Sequence, residues 1–224
     1  LCCTETILES YLLFDGNDDY VTTNNILGDE NNFTVAMQVK RNGDGDTDDN
    51  ELIWNNHYSH YTGLDFLGGK IRGFVRNTSN EYFEVETQVL ENDVWYDVVF
   101  VVSQDNNFIR LYLDGNFINE QNWYGEFDTD PMLATEGFGG YETMHSFNGG
   151  INQATIWNNA LNNDIIEDEN FDDLIESETD NIIGKYYFND GSGSVLNDYS
   201  GNGNHGTVSG ASWINDIYFE DICC

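Results

Sequence analysis

The stretch "VWYDVVFVVSQDNNFIRLYLDGNFI", residues 94–118, indicates the fold class of this 224-residue chain. Its first part, 94–102, is almost continuously apolar, which is typical of a strand buried on both faces. Its second part, 108–118, reads as a hairpin around Asp114-Gly115, because Asp-Gly is the strongest short-range turn signal. The stretch therefore predicts a doubly covered strand followed by a β-hairpin.

Strand-type alternation continues on both sides of this stretch. "FTVAMQVK" (33–40) and "YFEVETQV" (82–89) place apolar residues at every second position, as expected for half-buried strands. Only 160–177, with paired apolar residues in an acidic segment, predicts one short helix. No linker or change of composition divides the chain. We therefore expect residues 1–224 to form one all-β sandwich domain.

The charge of the chain is strongly negative. It has 7 Lys plus Arg against 41 Asp plus Glu, a formal net charge of −34. This charge repels nucleic acids and anionic membrane surfaces. The chain also lacks a run of 18 apolar residues, which a membrane-spanning helix would need. Nucleic acid and membrane insertion are therefore excluded as modes of action. Bound divalent cations would relieve the self-repulsion, and a solvated acidic surface explains the charge equally well.

Several motifs together resemble one family. The hairpin stretch is joined by "LLFDGNDDYV" (12–21), "FNGGINQATIWNNAL" (147–161) and "YYFNDGSGSVLNDYSGNGNHGT" (186–207). In register, these segments resemble the laminin G-like, concanavalin A-like lectin/glucanase superfamily. The resemblance implies a two-sheet antiparallel jelly-roll sandwich and covers nearly the whole chain.

The order of the motifs departs from that family. There the "DYSGNGNHG" motif precedes the "FDG" strand, whereas here it comes last, so the motif order is cyclically permuted. Joining the two termini would restore the usual order. A sandwich accepts such a permutation within one molecule when its termini are adjacent. The tail of a neighbouring copy could also supply the missing strand, which makes 1–10 and 214–224 the expected junction segments.

The cysteines lie only at the ends of the chain, as Cys2, Cys3, Cys223 and Cys224. Adjacent cysteines rarely bond each other, and two CC pairs do not match zinc spacing. Disulfides formed in an oxidising compartment are expected, which favours a secreted or cell-surface protein. Two arrangements remain open. One is an intramolecular staple, in which Cys2 and Cys3 bond to Cys223 and Cys224 of the same chain; the other is a head-to-tail bond to the next copy, which generates a filament.

Asp- and Asn-rich loops are candidate Ca²⁺ sites, because Ca²⁺ prefers carboxylate and carbonyl oxygens. "DYSGNGNHG" offers Asp198, Asn202 and Asn204, and the resemblance places Asp18 and Asp19 near this loop. A weaker candidate spaces Asp44, Asp46 and Asp48 by two, but Asn55 stands at the twelfth position, where an EF-hand has Glu. The alternatives are an Asx-rich turn for the first group and a solvated hairpin tip for the second.

One loop combines residue types that hold sugars. "IWNNHYSHYTG" (53–63) mixes aromatic rings with side-chain amides, and loops often carry binding residues. Its candidate glycan-binding residues are Trp54, Asn55, Asn56, His57, Tyr58 and Tyr61. Core packing is the alternative for its aromatic residues. Asn32 and Asn77 begin N-glycosylation sequons, which matter only if the chain is secreted through a glycosylating pathway.

Catalysis finds little support in the sequence. The Glu-x-Asp-x-x-Glu strand motif of the related glucanases is absent, as are the common serine-hydrolase and zinc-protease motifs. We therefore predict a non-enzymatic extracellular structural or adhesion subunit that polymerises head to tail through its termini. The alternative is a calcium-dependent carbohydrate-binding module. The expected partners are copies of the chain itself or surface glycans.

Overall fold

The computed structural model describes residues 2–28, 30–43, 50–56, 60–128, 136–140, 145–168 and 171–223. The strands are β1 Cys2–Asp15, β2 Tyr20–Thr22, β3 Asn32–Arg41, β4 Asn50–Asn56, β5 Tyr61–Leu67, β6 Lys70–Arg76, β7 Tyr82–Glu86, β8 Trp95–Ser103, β9 Phe108–Leu113, β10 Asn116–Asn122, β11 Glu136–Phe138, β12 Asn148–Trp157, β13 Ile182–Tyr186, β14 Val195–Leu196, β15 Gly206–Ser209 and β16 Ser212–Cys223. The helices are α1 Asn163–Asp168 and α2 Phe171–Ser177.

The strands form two antiparallel sheets. Sheet I has the order β10-β9-β8-β3-β12-β1-β16, and β13 pairs with the end of β12. Sheet II has the order β14-β15-β2-β11-β4-β5-β6-β7. Apolar side chains from both sheets meet in one buried cluster, which includes Phe33, Phe100, Leu64 and Phe138. The predicted all-β, two-sheet jelly-roll sandwich is confirmed.

The stretch that indicates the fold behaves as its sequence predicts. β8 is buried on both faces: Val98, Phe100 and Val102 point into the core between the sheets, and Val99 and Val101 pack on the other side. β9 and β10 form the hairpin around Asp114 and Gly115. Both turn residues have positive φ, 49° and 73°, as a two-residue hairpin loop of this kind requires.

The segment predicted as one helix, 160–177, contains two. Phe171, Leu174 and Ile175 of α2 are buried against Trp157 of β12 and Val99 of β8 in a second apolar cluster. Ile166 of α1 joins the same cluster. The helices therefore cover part of the outer face of sheet I and explain why β8 is apolar on both sides.

The displaced C-terminal segment returns to the N-terminal strand within the same chain. β16 pairs with β1 from Cys2↔Cys223 to Leu13↔Ser212, and β15 pairs with β2 next to the "FDG" segment. The permuted order therefore needs no neighbouring copy to complete the sandwich. Across the described part of the chain, no helix has the length and apolar character needed to cross a bilayer.

Candidate functional site

The outer face of sheet II carries a pair of tyrosines with an arginine between them. Side chains alternate along β5, β6 and β7, so that Tyr61, Arg76 and Tyr82 point away from the core. The tyrosine ring centres are 5.9 Å apart and nearly perpendicular, and Tyr82 is 45% exposed. The guanidinium carbon of Arg76 lies 3.5 Å from the Tyr61 ring centre and 5.8 Å from that of Tyr82. We call these three residues the Arg76 cluster.

Ion pairs hold the two arginine side chains of this face in place. Arg72 binds the fully buried carboxylate of Asp65 through two nitrogens, at 3.1 and 2.6 Å, and reaches Glu84 at 3.1 Å. Burial raises the pKa of Asp65 to about 6, although the Arg72 bonds oppose the shift. Arg76 Nε lies 2.7 Å from a carboxylate oxygen of Asp128. These contacts fix the direction of both guanidinium groups.

Three of the seven Lys and Arg residues of the chain lie on this face. Lys70, Arg72 and Arg76 occupy outer positions of β6. Period-two spacing of the basic residues in "KIRGFVR" is a sequence signal for this face. Tyr82, on the neighbouring strand, carries no such signal, because the exposure of a single aromatic residue in a strand cannot be read from alternation alone.

The predicted glycan loop is divided by the fold. Trp54 is fully buried against Phe33, so its ring is not available to a surface sugar. Asn55 and Asn56 are buried as well, which leaves Tyr61 as the member of the predicted set, among the described residues, that is not buried. His57 and Tyr58 lie outside the described residues.

Asn56 forms a hydrogen bond with Glu136, a buried acidic residue that the sequence did not single out. Its amide nitrogen donates to Glu136 at 3.1 Å, and the backbone N–H of Ile26 donates to the same oxygen. Burial raises the pKa of Glu136 well above its ordinary value, against these hydrogen bonds. Glu136 points into the sandwich, where it ties the loop after β2 to β4 and β11.

One of the predicted acidic pairs belongs to a compact carboxylate cluster. Asp18 and Asp19 lie with Asp15, and ligand oxygens of the three residues are all within 4.8 Å of one another. Asp19 is 6% exposed, and its pKa is raised by burial and by the charges of Asp15 and Asp18. Gly210 permits this packing, since a Cβ there would lie 2.0 Å from Asp19 Oδ1. No ion pair reaches these carboxylates from the described residues.

The predicted calcium loop around Asp198 is held by hydrogen bonds instead. The Asp198 carboxylate accepts from the N–H groups of Lys185, Ser200 and Asn204 and from the Ser200 hydroxyl. Burial alone would raise the pKa of Asp198, but these donors outweigh it and lower the pKa. Asn202 and Asn204 turn their amide nitrogens to the Ile183 carbonyl. The loop has the bonding of an Asx-rich turn, and Asp198 is not part of the Asp15–Asp19 cluster.

Both sequon asparagines use their side chains in the folded protein. Asn77 is 2% exposed, and its amide nitrogen donates to Glu81 and to the Tyr124 carbonyl. The amide nitrogen of Asn32 donates to Asp105. A glycan on Asn77 would cost at least one of its two bonds, because a glycosylated amide nitrogen keeps a single N–H, whereas Asn32 donates only one bond; both sequons stay predictions. The other calcium candidates, Asp44, Asp46 and Asp48, lie outside the described residues.

The termini place one predicted cysteine pair in register. Cys2 is opposite Cys223 in the β1–β16 ladder, and Cys3 is opposite Ile222. Cys224 lies outside the described residues. The register brings the two ends of a single chain together, which is the arrangement that an intramolecular staple requires.

Comparisons with known proteins agree with this architecture. The family model described as the concanavalin A-like lectin/glucanases superfamily matches residues 15–167. No curated protein sequence matches the chain. Among solved structures, one from Bacteroides ovatus described as a proposed carbohydrate-binding protein has a TM-score of 0.71 at 15% identity, covering 93% of this chain and 60% of its own. This chain thus spans less than two thirds of that protein.

Two further structures share the fold at similar distance. The CBM40 domain of a Ruminococcus gnavus sialidase, bound to α2,3-sialyllactose, has a TM-score of 0.53 at 13% identity, covering 72% of this chain and 97% of its own. A heptameric SAP-like pentraxin from Limulus polyphemus has a TM-score of 0.54 at 13% identity, covering 95% of both chains. At these identities the likeness shows the fold alone.

Proposed function

We propose a function from a premise that the family match establishes: the chain belongs to the concanavalin A-like lectin/glucanases superfamily. The proposed function is that of an extracellular adhesion module that binds carbohydrate on the outer face of sheet II. The Arg76 cluster is the observation that carries the proposal.

The chemistry of the Arg76 cluster suits a sugar ring. An exposed tyrosine offers a rigid apolar face and a hydroxyl at little cost in side-chain entropy. Arg76 adds several N–H donors whose direction is fixed by Asp128 and by the Tyr61 ring. Apolar surface with a few fixed polar groups is typical of ligand sites. The Bacteroides protein described as carbohydrate-binding and the Ruminococcus domain with bound sialyllactose add support from the same fold.

A glycan array followed by titration calorimetry tests this proposal. The tightest glycan from the array should bind Tyr82→Ala at least about tenfold more weakly than the unmodified protein, a loss of about 1.4 kcal/mol. Phe117→Ala is the matched control, because Phe117 is an equally exposed aromatic residue, at 43%, on the edge strand of sheet I. Unchanged affinity in Tyr82→Ala and in Arg76→Ala would contradict the proposal, as would an array without any bound glycan.

We also propose that Ca²⁺ stabilises the module at Asp15, Asp18 and Asp19. Three carboxylates at short distance, with no cation from the described residues to balance them, form a hard-oxygen donor set that suits this ion. When bound, Ca²⁺ would supply the positive charge that no described residue places beside the Asp19 carboxylate. We favour this group over the predicted set around Asp198, which stays a prediction, because the Asp198 oxygens already accept four hydrogen bonds.

Thermal unfolding with and without chelator tests the calcium site. If 1 mM Ca²⁺ exceeds Kd about 100-fold, it adds about 2.7 kcal/mol, or roughly 5–10 °C in Tm. Asp19→Asn should remove this dependence and, in chelator, raise Tm by relieving like-charge repulsion. Asp164→Asn, at an exposed acidic residue of α1, should keep the full dependence. A Ca²⁺ effect that survives in Asp19→Asn would rule out this site.

We further propose that the module is not an enzyme. Glycosidases use two carboxyl groups that face each other across the sugar. Near the Arg76 cluster, Asp65 and Glu84 are bound by Arg72, and Asp128 is bound by Arg76. Incubation with laminarin, agar, alginate or xylan should release no reducing ends. Release of reducing ends that Asp65→Asn abolishes would contradict this part of the proposal.

For the termini we propose an intramolecular Cys2–Cys223 bond, supported by their opposite positions in the β1–β16 ladder. A head-to-tail filament is the alternative, since the same strands could pair between copies. Mass spectrometry of non-reduced digests from mixed isotope-labelled and unlabelled protein distinguishes them. Same-copy terminal peptides from monomeric protein would support the staple, and mixed-label peptides would support the filament.

A further inference from the structure

A second aromatic surface lies in the C-terminal loop region, away from the outer face of sheet II. Tyr187 follows β13, and Tyr199 follows β14; their ring centres are 5.2 Å apart at an angle of 62°. Tyr199 is 52% exposed, so most of one ring faces solvent. Asp190 lies beside the Tyr199 hydroxyl, and Asn197 is hydrogen-bonded to Asp190. We call these four residues the Tyr199 cluster.

The backbone beneath Tyr199 is held at several points. The Tyr199 N–H donates to the Lys185 carbonyl at 2.7 Å. The preceding Asp198 accepts four hydrogen bonds, and its own N–H donates to His205 Nδ1 at 3.1 Å. A ring on a fixed backbone loses little freedom when a ligand stacks on it. The Asx-rich loop, predicted as a calcium site, thus acts as the rigid support of an exposed tyrosine.

Polar groups adjoin the exposed ring. Asp190 accepts from the Asn197 backbone N–H at 2.9 Å and from its side-chain amide at 2.5 Å, and the Tyr199 hydroxyl lies 3.4 Å from the same carboxylate. A carboxylate accepts hydrogen bonds only, so it suits sugar hydroxyl groups as donors. It also repels acidic sugars, as does the net charge of −34.

We infer that the Tyr199 cluster is a second saccharide site, which takes a hexose unit without acidic groups. The ring face of Tyr199 packs against the C–H face of the sugar, and Asp190 accepts from its hydroxyl groups. The two sites differ in charge: the Arg76 cluster presents a guanidinium group beside its tyrosines, whereas the Tyr199 cluster presents a carboxylate.

Tyrosine-ring NMR of the whole protein tests the inference. The probes are the methyl glycosides of galactose, glucose and mannose, each titrated to 100 mM. At least one should shift the Tyr187 and Tyr199 ring signals together and to saturation, and Tyr199→Ala should abolish the shift at Tyr187. Tyr199→Phe, which keeps the ring and loses the hydroxyl, should retain saturable binding. Signals of Tyr61 and Tyr82 report the first site separately, so the failure of one site is distinguishable from that of the other.

Three results would overturn the inference. The first is the absence of saturable shifts at Tyr187 and Tyr199 with all three glycosides. The second is a shift at Tyr187 that persists in Tyr199→Ala with an unchanged melting temperature. The third is binding of methyl glucuronide as tight as that of methyl glucoside, whereas the position of Asp190 predicts at least threefold weaker binding of the glucuronide.

Discussion

The outer faces of the two sheets are covered by different kinds of groups. On sheet I, α1 and α2 cover strands β3, β8 and β12 with a buried apolar layer. On sheet II, strands β5 to β7 carry ion-paired arginines and an exposed tyrosine. A sandwich needs only the inner face of each sheet for its core, so each outer face is free to take its own role. The comparison shows that an apolar helical layer covers one outer face, whereas the other presents charged pairs and an exposed tyrosine around the small buried pair Leu52 and Phe74.

Removing apolar contacts under the helices should have the largest effect on stability. Leu174 is 1% exposed within the layer that α2 places on sheet I. Leu174→Ala should lower the free energy of unfolding by about 3–4 kcal/mol through lost burial and a residual cavity. Glu176→Ala, at an exposed position of the same helix, should change it by less than about 0.5 kcal/mol. Urea unfolding measures both free energies. If Leu174→Ala lowers the free energy of unfolding as little as Glu176→Ala does, the packing of α2 does not stabilise sheet I.

Breaking the buried ion pair on sheet II should cost about as much or slightly less. Arg72→Met leaves the Asp65 carboxylate buried without its cation, and we expect a loss of about 3 kcal/mol at pH 7, the lower end of the range for such pairs, because the Arg72 side chain is partly exposed. The control is Lys70→Met, because the Lys70–Glu86 pair is largely exposed and should contribute less than about 1 kcal/mol. A loss in Arg72→Met no greater than in Lys70→Met would mean that this face is not organised by buried charge.

The pH dependence of stability should also separate the faces. Because the folded-state pKa of Asp65 is raised from 3.8 to about 6, its favourable contribution is complete below about pH 4 and is lost as pH rises through 6. The stability of the unmodified protein relative to Asp65→Asn should therefore fall between pH 4 and 7, by at most about 1.4 kcal/mol per pH unit. A relative stability that rises over this range would contradict the assignment. Leu174→Ala should show the same pH profile as the unmodified protein.

The smallest effect on stability is expected at the exposed tyrosine. Tyr82→Ala should change the free energy of unfolding by less than about 1 kcal/mol, because Tyr82 is 45% exposed at an edge strand and loses little more than its ring pair with Tyr61. Denaturant titration checks this value in the same samples that are used for glycan binding. A large destabilisation would assign Tyr82 to packing and weaken its proposed role as a ligand contact.

Sequence patterns predicted the elements better than the faces. Alternation and the Asp114-Gly115 turn located the strands around β8, because these signals are local. Trp54 shows where such reasoning fails. A register shift between Leu52 and Trp54 turns both Ile53 and Trp54 into the core. The sequence around Trp54 contains no signal that predicts this β-bulge.

The acidic loops show a second limit of the sequence. Asp19 and Asp198 both sit in Asp/Asn/Gly turns, yet the pKa of Asp19 is raised and that of Asp198 is lowered. The difference arises from donors that strand pairing brings from elsewhere, such as the Lys185 N–H beside Asp198. Turn composition therefore identified two loops of similar chemistry, and only the tertiary structure separates Asp198, which accepts four hydrogen bonds, from Asp19, which accepts one from the Asp15 N–H.

The most direct test of carbohydrate binding by the outer face of sheet II is a residue-level map of the bound glycan. Backbone amide NMR signals can be followed while the tightest glycan from the array is added to the unmodified protein. The shifts are expected to cluster at Tyr61, Arg76 and Tyr82, with none at Leu174 or elsewhere under the helices of sheet I. Shifts that cluster on the outer face of sheet I, or that leave strands β5 to β7 unchanged at saturation, would contradict the proposed function.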